Sequence, residues 1–189
     1  MSTSTPQSLR DNYKQQTRKR ILDAALDIMR EAGEDAVTMS RVAVRAGVTD
    51  RTVYRHFETR DILLQAAWER VQSSRLPHTP DELIETPREI FWRYDNAREL
   101  ARASVYSRVA LEARLRSNEE RQRAMLECIR DELYDLDERS LRRRAAIVQL
   151  LTSPYAWEVM TQFWGFDGAE AGEAAAEALE VLLGRRLAD

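Results

Sequence analysis

The chain has 189 residues, 43% hydrophobic and 32% charged, with a formal net charge of −3 and a single cysteine, Cys128. This length and balance predict a soluble globular protein of one or two small domains. No apolar run reaches the roughly 18–20 residues of a transmembrane helix, no apolar signal core begins the chain, and one cysteine excludes an intramolecular disulfide. We therefore expect a cytoplasmic protein with no membrane partner.

Charge is unevenly distributed along the chain. Residues 1–75 hold 13 Lys and Arg against 10 Asp and Glu, whereas residues 76–189 hold 16 against 22. A basic N-terminal part favours contact with a polyanion such as nucleic acid. The alternative is chance clustering of charge on a solvated surface.

Helical periodicity recurs along the chain, without strand-like alternation, so the predicted fold class is all-α. Residues 1–14 are polar and predict a flexible arm. The first helix is predicted from Gln15 to Ala32, before Gly33. Its buried stripe is Ile21, Leu22, Ala25, Ile28, Met29 and Ala32.

Residues 38–57 predict two short helices joined by a tight turn. Thr38 and Thr49 can each cap a helix N-terminus through the hydroxyl, and Gly47 ends the first helix where a left-handed backbone is needed. The residues with core spacing are Met39, Val42, Ala43, Ala46, Val53 and Phe57. Hydroxyl, guanidinium and phenol groups crowd the rest of the second helix, which indicates a helix-turn-helix that enters a DNA major groove.

This segment resembles the TetR (tetracycline-repressor-like) family of bacterial transcription regulators. The family pattern is T-[hydrophobic]-x-x-[IV]-A-x-x-A-G-V-[ST]-x-x-T-[hydrophobic]-Y-x-[HY]-F, and residues 38–57 match every specified position. The resemblance covers about residues 15–75 and includes Arg60 where the family usually has lysine. It implies an all-α fold in which helix 4 links an N-terminal head to a C-terminal ligand-binding and dimerisation bundle.

The predicted base-reading residues lie on the second helix of the motif. Arg51 is placed to bind guanine O6 and N7, and Thr52 and Tyr54 suit a thymine methyl group or a phosphate. Asp50 either favours the helix N-terminus or accepts a hydrogen bond from cytosine. His56 either donates to a phosphate or packs the helix.

Other polar residues are predicted to contact the DNA backbone. They are Thr38, Thr49, Arg55, Arg60 and Lys19. The expected partner is a double-stranded DNA operator.

The rest of the chain predicts further helices. Helix 4 follows Thr59, and a break at residues 76–80 is the predicted boundary between a DNA-binding domain (15–75) and a ligand-binding and dimerisation domain (76–189). Later helices are predicted over about residues 86–101, 104–114, 117–134, 137–152 (or from 140), 153–165 and 167–184, the first of them opened by Thr86-Pro87.

Two sets of C-terminal residues are candidates for function, although each also suits simple core packing. The family resemblance implies an effector cavity, for which the candidate lining residues are Trp92, Tyr106, Met125 and Tyr134. It also implies a homodimer through the last helices, for which the candidates are Trp157, Met160, Trp164, Leu179 and Leu182.

An enzyme is not predicted. Two distant histidines, isolated glycines and the lack of Cys/His spacing give no metal site, phosphate cradle or nucleophile motif. We expect no metal and no cofactor. The sequence predicts a homodimeric transcriptional repressor that a small apolar ligand releases from a palindromic operator. A transcriptional activator and a DNA-binding protein without a ligand are the alternatives.

Overall fold

The computed structural model describes residues 9–72 and 77–185. The N-terminal helices are α1 (Leu9–Ala32), α2 (Met39–Ala46), α3 (Asp50–His56) and α4 (Arg60–Gln72), with a 3-10 turn at Glu34–Ala36. The following helices are α5 (Pro80–Asn96), α6 (Arg98–Tyr106), α7 (Arg108–Arg116), α8 (Asn118–Ile129), α9 (Glu138–Leu151), α10 (Pro154–Phe163) and α11 (Gly168–Leu182). These residues form no strand, and the predicted all-α fold is confirmed. None of these helices combines the length and apolar character needed to cross a membrane.

The first helix is longer than the sequence predicts. It begins at Leu9 rather than Gln15, so residues 9–14 of the predicted flexible arm are helical, and residues 1–8 lie outside the described residues. The predicted buried stripe is present at Ile21, Ala25 and Ile28, whereas Ala32 is exposed at the helix end.

The core of the N-terminal helices extends into the following bundle. Buried side chains of α1, α2, α3 and α4 form one cluster, and this cluster includes Ala110 and Ala113 from α7. Trp68 of α4 is fully buried in it. The packed contact between α4 and α7 therefore joins the helix-turn-helix head to the C-terminal helices.

Helix α11 packs closely along α5. A Cβ atom added at Gly168 would lie 2.4 Å from the carbonyl oxygen of Phe91, and one added at Gly172 would lie 3.0 Å from the carbonyl oxygen of Pro87. Since no larger side chain fits without a backbone shift, the small residues of α11 allow close packing within this chain.

Several predicted helix boundaries in the C-terminal region are wrong. Helix α5 begins after Thr79, whose hydroxyl accepts a hydrogen bond from the Glu82 N–H at 3.2 Å, and Pro87 lies inside the helix. Two shorter helices meet at Ser107, where one continuous helix over residues 104–114 was predicted. Helix α8 ends at Ile129, and turns replace its predicted extension to Tyr134. The predicted cap at Asp137 is present.

Candidate nucleic-acid interface and effector cavity

Local caps determine the geometry of the helix-turn-helix. The Thr38 hydroxyl accepts from the Arg41 N–H at 3.2 Å, and the Thr49 hydroxyl accepts from the Thr52 N–H at 3.3 Å. Gly47 has the left-handed φ of 62° that its place between the two helices requires. Both threonines and the glycine have the structural roles that the sequence predicts for them.

Helix α3 has one buried and one exposed side. Val53 and the following Phe57 are buried in the head core, as the sequence predicts. Arg51, Tyr54 and Arg55 are exposed. The guanidinium and phenol groups are therefore available to an external partner along the whole length of this seven-residue helix.

Two polar residues at the start of α3 form contacts within the protein. Asp50 accepts a hydrogen bond from the Ser40 hydroxyl at 2.5 Å, so its carboxylate ties α3 to α2. This contact favours the structural interpretation of Asp50 over a hydrogen bond from cytosine. The half-buried Thr52 has its hydroxyl 3.0 Å from that of Thr49.

A cationic surface surrounds the C-terminal end of α3. Partial burial lowers the pKa of the His56 imidazole, and repulsion from nearby cations lowers it further. These cations are Arg55, Lys14 and Arg18. The Arg18 guanidinium also lies 4.6 Å from the centroid of the Phe57 ring.

Lys14 and Arg18 belong to the basic N-terminal part that the sequence predicts to meet phosphates, but they were not among the individual DNA contacts predicted. Their spacing of four residues places them on one face of α1, and that is the signal that would have found them. Lys19, the α1 residue that was predicted, is also exposed.

Arg60 has a different environment from the one predicted. Its Nε donates to the Val37 carbonyl at 2.7 Å, and its Nη2 donates to the Glu34 carbonyl at 2.7 Å. The guanidinium thus holds the N-terminus of α4 against the segment that precedes α2. This is a correction to its predicted role as a phosphate contact, because both described hydrogen bonds are internal.

A cavity of about 1090 Å³ lies between α4, α5 and the helices α6 to α10. Its apolar walls include Trp68, Val71, Ile90, Leu100, Leu111, Leu115, Met125 and Leu150, and its polar groups include Tyr94, Arg114, Arg121 and Tyr155. The volume slightly exceeds the usual range of small-molecule sites, and the lining has their usual mixture of apolar walls and a few polar groups.

Only one of the four predicted lining residues borders this cavity. Met125 does. Trp92, Tyr106 and Tyr134 do not, and they are 60%, 73% and 86% exposed. Trp92 and the lining Tyr94 are two residues apart on α5, which places them on different faces of the helix.

The predicted dimer residues divide into internal and accessible groups. Trp157 and Leu179 are fully buried within the chain, which is a correction because they are not available to a second copy. Met160 and Leu182 are half-buried. Trp164 is 72% exposed, and Phe163 beside it, which sequence reasoning missed, is 81% exposed.

Cys128 is buried in an apolar cluster of the C-terminal bundle. Burial raises the pKa of its thiol to about 11. The thiol is therefore protonated near neutral pH, and Cys128 acts as a small hydrophobic residue of the core.

A known protein family matches the helix-turn-helix head described above. The family described as bacterial regulatory proteins, tetR family, matches residues 21–67. Over these residues the chain is similar to the TetR family. The matched residues include all of α2 and α3, where the caps and the exposed side chains lie.

Curated relatives match only part of the chain. The HTH-type transcriptional regulator SrpR of Pseudomonas putida is 40% identical over 72 residues, which cover 38% of this chain and 34% of SrpR. The HTH-type transcriptional repressor KstR of Rhodococcus jostii (strain RHA1) is 42% identical over 69 residues, which cover 34% of this chain and 32% of KstR. The chain thus spans about a third of the length of these relatives.

The whole fold resembles solved structures at lower identity. The transcriptional regulator FadR from Bacillus subtilis, in complex with stearoyl-CoA, has a TM-score of 0.64 and 16% identity. The match covers 85% of this chain and 96% of FadR. It extends the likeness in fold beyond the head into the C-terminal helical bundle.

Proposed function

We propose that this protein is a homodimeric transcriptional repressor that binds a palindromic DNA operator and is released from it by a small, largely apolar ligand. The observation that carries the proposal is the exposed face of α3, with Arg51, Tyr54 and Arg55 presented on a capped and internally anchored helix-turn-helix. In such motifs the N-terminal residues of the second helix reach base edges in the major groove.

The roles on the DNA side follow from position and chemistry. Arg51, in the first turn of α3, suits a bidentate contact to guanine. Arg55, Lys14 and Arg18 form a cationic surface that suits phosphates, together with Lys19 on the same helix. These phosphate contacts would supply affinity, and Arg51 would supply sequence preference.

The ligand side of the proposal rests on a hydrogen-bonded connection between the cavity and the head. Trp68 lines the cavity, and its indole Nε1–H donates to the Glu34 carboxylate at 2.7 Å. The backbone carbonyl of Glu34 accepts from Arg60, which also holds Val37 just before the Thr38 cap of α2. A ligand that displaces Trp68 would therefore disturb the hydrogen bonds of Glu34 and Arg60 that hold the segment before α2.

Helix α7 provides a second connection. Its Ala110 and Ala113 are buried against the head, while Leu111 and Arg114 line the cavity. A ligand that moves α7 would change the packing of α4 and, in a dimer, the separation of the two heads. The effect on operator affinity cannot exceed the difference in ligand affinity between the two conformations.

The names of related proteins agree with this proposal. KstR is described as a transcriptional repressor, and the FadR structure contains stearoyl-CoA. The remaining candidates are an activator, which differs from a repressor in where the operator lies relative to a promoter, and a regulator that binds DNA without a ligand. The cavity favours a ligand-responsive protein over the second candidate.

The test is selection of DNA by the full-length chain from a random pool, followed by sequencing. We expect a near-palindromic site whose half-sites are one or more helical turns apart. Recovery of no symmetric motif would contradict the proposal. Addition of ligands to the selected complex then separates a responsive regulator from a ligand-independent one.

A further inference from the structure

The polar groups of the cavity are segregated by charge. Asp81, Glu85 and Glu89 border it with largely exposed carboxylates, and each lies near an arginine: Arg185, Arg88 and Arg93 respectively. These acids belong to the solvent-facing rim and are already paired. They therefore do not offer a buried cation site.

The fourth lining acid, Glu82, belongs to the cap of α5. Its Oε2 accepts a hydrogen bond from the His78 N–H at 2.9 Å, while its own N–H donates to Thr79. The carboxylate thus binds the backbone of the residue before the N-cap Thr79, which gives it a local structural role.

Two arginines also line the cavity. Arg114 of α7 and Arg121 of α8 are both half-buried lining residues. The Arg114 side chain donates to the Ser104 carbonyl and, at 2.9 Å, to the Tyr155 hydroxyl, so both of its described hydrogen bonds go to neutral acceptors.

Ser117 contacts both residues, Arg114 through its backbone carbonyl and Arg121 through its guanidinium. Its hydroxyl donates to the Arg114 carbonyl at 3.3 Å and accepts from the Arg121 Nε at 3.1 Å. Burial, and after it repulsion from Arg114, lowers the pKa of the Arg121 guanidinium. The charges of Arg114 and Arg121 therefore act on each other, and an anion placed between them would be attracted by both.

Tyr94 adds a neutral donor beside the two arginines. Burial raises the pKa of its phenol to about 12, even though the charges of Arg121 and Arg114 act in the opposite direction. The hydroxyl therefore keeps its proton near neutral pH and remains able to donate a hydrogen bond.

We propose that the cavity binds a small organic acid, with the carboxylate held between Arg114 and Arg121 and the apolar body lying against Trp68, Leu111 and Met125. The inference rests on the proposed function, since it names the ligand class of the same regulatory cavity. Guanidinium forks match the two oxygens of a carboxylate and bind it with charge-assisted hydrogen bonds.

The proposed contact is with the carboxylate group itself, which sets an order of preference among related ligands. In a coenzyme A thioester this group is an uncharged thioester, so the charge-assisted contact with the two arginines is lost. We therefore expect a free acid to bind better than its coenzyme A thioester.

The experiment compares matched ligands on the full-length protein by calorimetry and tryptophan fluorescence. The probes are octanoate, decanoate and naphthalene-2-carboxylate, each with its primary amide, and decanoyl-CoA. We expect at least one acid to bind about tenfold or more tightly than its amide, as charge-assisted hydrogen bonds predict. If no acid exceeds its amide, or if decanoyl-CoA binds better than decanoate, the proposal is overturned.

Substitution assigns the preference to the arginines. Arg121→Met keeps a long apolar side chain and removes the half-buried charge, so the fold should be retained, and Arg114→Met provides an independent second variant. Each variant is expected to lose most of the preference for acid over amide while it still binds the amide. Arg123→Met, which removes an exposed charge two residues along α8, is the matched control and should keep the preference. An unchanged preference in both Arg114→Met and Arg121→Met would contradict the assignment.

Operator binding measured on the same samples separates this inference from the proposed function. If a neutral ligand releases the operator and acids do not bind preferentially, the proposed regulatory function is retained and the proposed ligand class is wrong. If no operator is selected, the regulator is wrong, whereas an arginine-dependent preference for acids would still support the cavity assignment.

Discussion

Arg51 and Arg55 are both exposed on α3, but their positions along the helix predict different effects on DNA binding. Arg51→Ala should cost about 1–3 kcal/mol of operator affinity and relax the preference at one base pair in each half-site, because a bidentate contact to a base is lost. Competition binding against operators substituted at single positions measures both effects.

Arg55→Ala is the matched control for Arg51→Ala. It should weaken binding to all sequences alike and reduce the salt dependence by about one counterion per head. If Arg51→Ala also weakened every sequence equally, its assignment to a base edge would be contradicted. Arg60→Ala is unsuitable as a phosphate control, since it would remove two internal hydrogen bonds that support the head.

His56 predicts a pH dependence of stability. Its pKa is lowered below the ordinary value of 6.5 in the folded protein, so the unfolded chain binds the proton more readily. The free energy of unfolding is therefore highest, with respect to this group, above pH 6.5, where His56 is neutral in both states. It decreases as the pH falls towards the lowered pKa of the folded state. His56→Gln should therefore flatten the fall in melting temperature below pH 6.5.

Thermal unfolding across this pH range checks the prediction for His56. His78→Gln is the control, because His78 is exposed and is the other histidine of the sequence. Parallel profiles for wild type and His56→Gln would show that protonation of this side chain does not limit stability.

At the scale of elements, α4 and α7 determine how the cavity could influence the head. Trp68→Phe keeps an aromatic ring in the core but removes the hydrogen bond to Glu34, and we expect it to lower stability by about 1–2 kcal/mol. Ligand binding should persist, whereas release of the operator at saturating ligand should be reduced. Fluorescence anisotropy with labelled operator measures that release.

Glu34→Gln is the conservative partner of Trp68→Phe. The amide retains an oxygen that accepts from the indole N–H, so this variant should keep more of the response than Trp68→Phe. Equal release in wild type and Trp68→Phe would contradict a role for this hydrogen bond in coupling.

The short N-terminal elements could be predicted from the sequence because their signals are local. Thr38, Gly47 and Thr49 each act on a backbone group within a few residues, so the motif and its caps follow from order and spacing. The start of α5 could not be predicted in this way. Thr79-Pro80 and Thr86-Pro87 carry the same local signal, and burial of Leu83 and Ile84 favours the earlier start.

The residues that line the cavity could not be predicted from the sequence, because they are determined by contacts between distant helices. Both Trp92 and Tyr94 are aromatic residues of α5, and only the packing of distant helices decides that Tyr94 faces the cavity. Arg114 and Arg121 are equally hard to recognise in a chain rich in arginine, since they lie on separate helices and only the packing of those helices brings both to the cavity. Arg60 was misassigned because its carbonyl partners lie more than twenty residues earlier.

At the scale of the whole molecule, the surface of α10 and the adjoining α11 carries the apolar groups that suit a second copy. Val159, Phe163, Trp164 and Val181 are exposed large hydrophobic residues. A contiguous apolar surface formed by such residues is typical of an interface, and the family resemblance implies dimerisation through the last helices. A palindromic operator requires this two-fold arrangement of heads.

Phe163→Glu combined with Trp164→Glu should convert a dimer into a folded monomer of 21.9 kDa, because each carboxylate would have to be buried at the contact. Light scattering measures the mass, circular dichroism checks the fold, and operator binding should weaken as the two heads become independent.

Tyr134→Glu is the control, since it alters an equally exposed aromatic residue in the turn after α8 and should leave the dimer intact. Leu179→Glu is unsuitable, because Leu179 is buried within the chain and its substitution would unfold the bundle. A wild-type mass equal to one chain at micromolar concentration would contradict the dimer, and a dimeric double variant would place the interface on another surface.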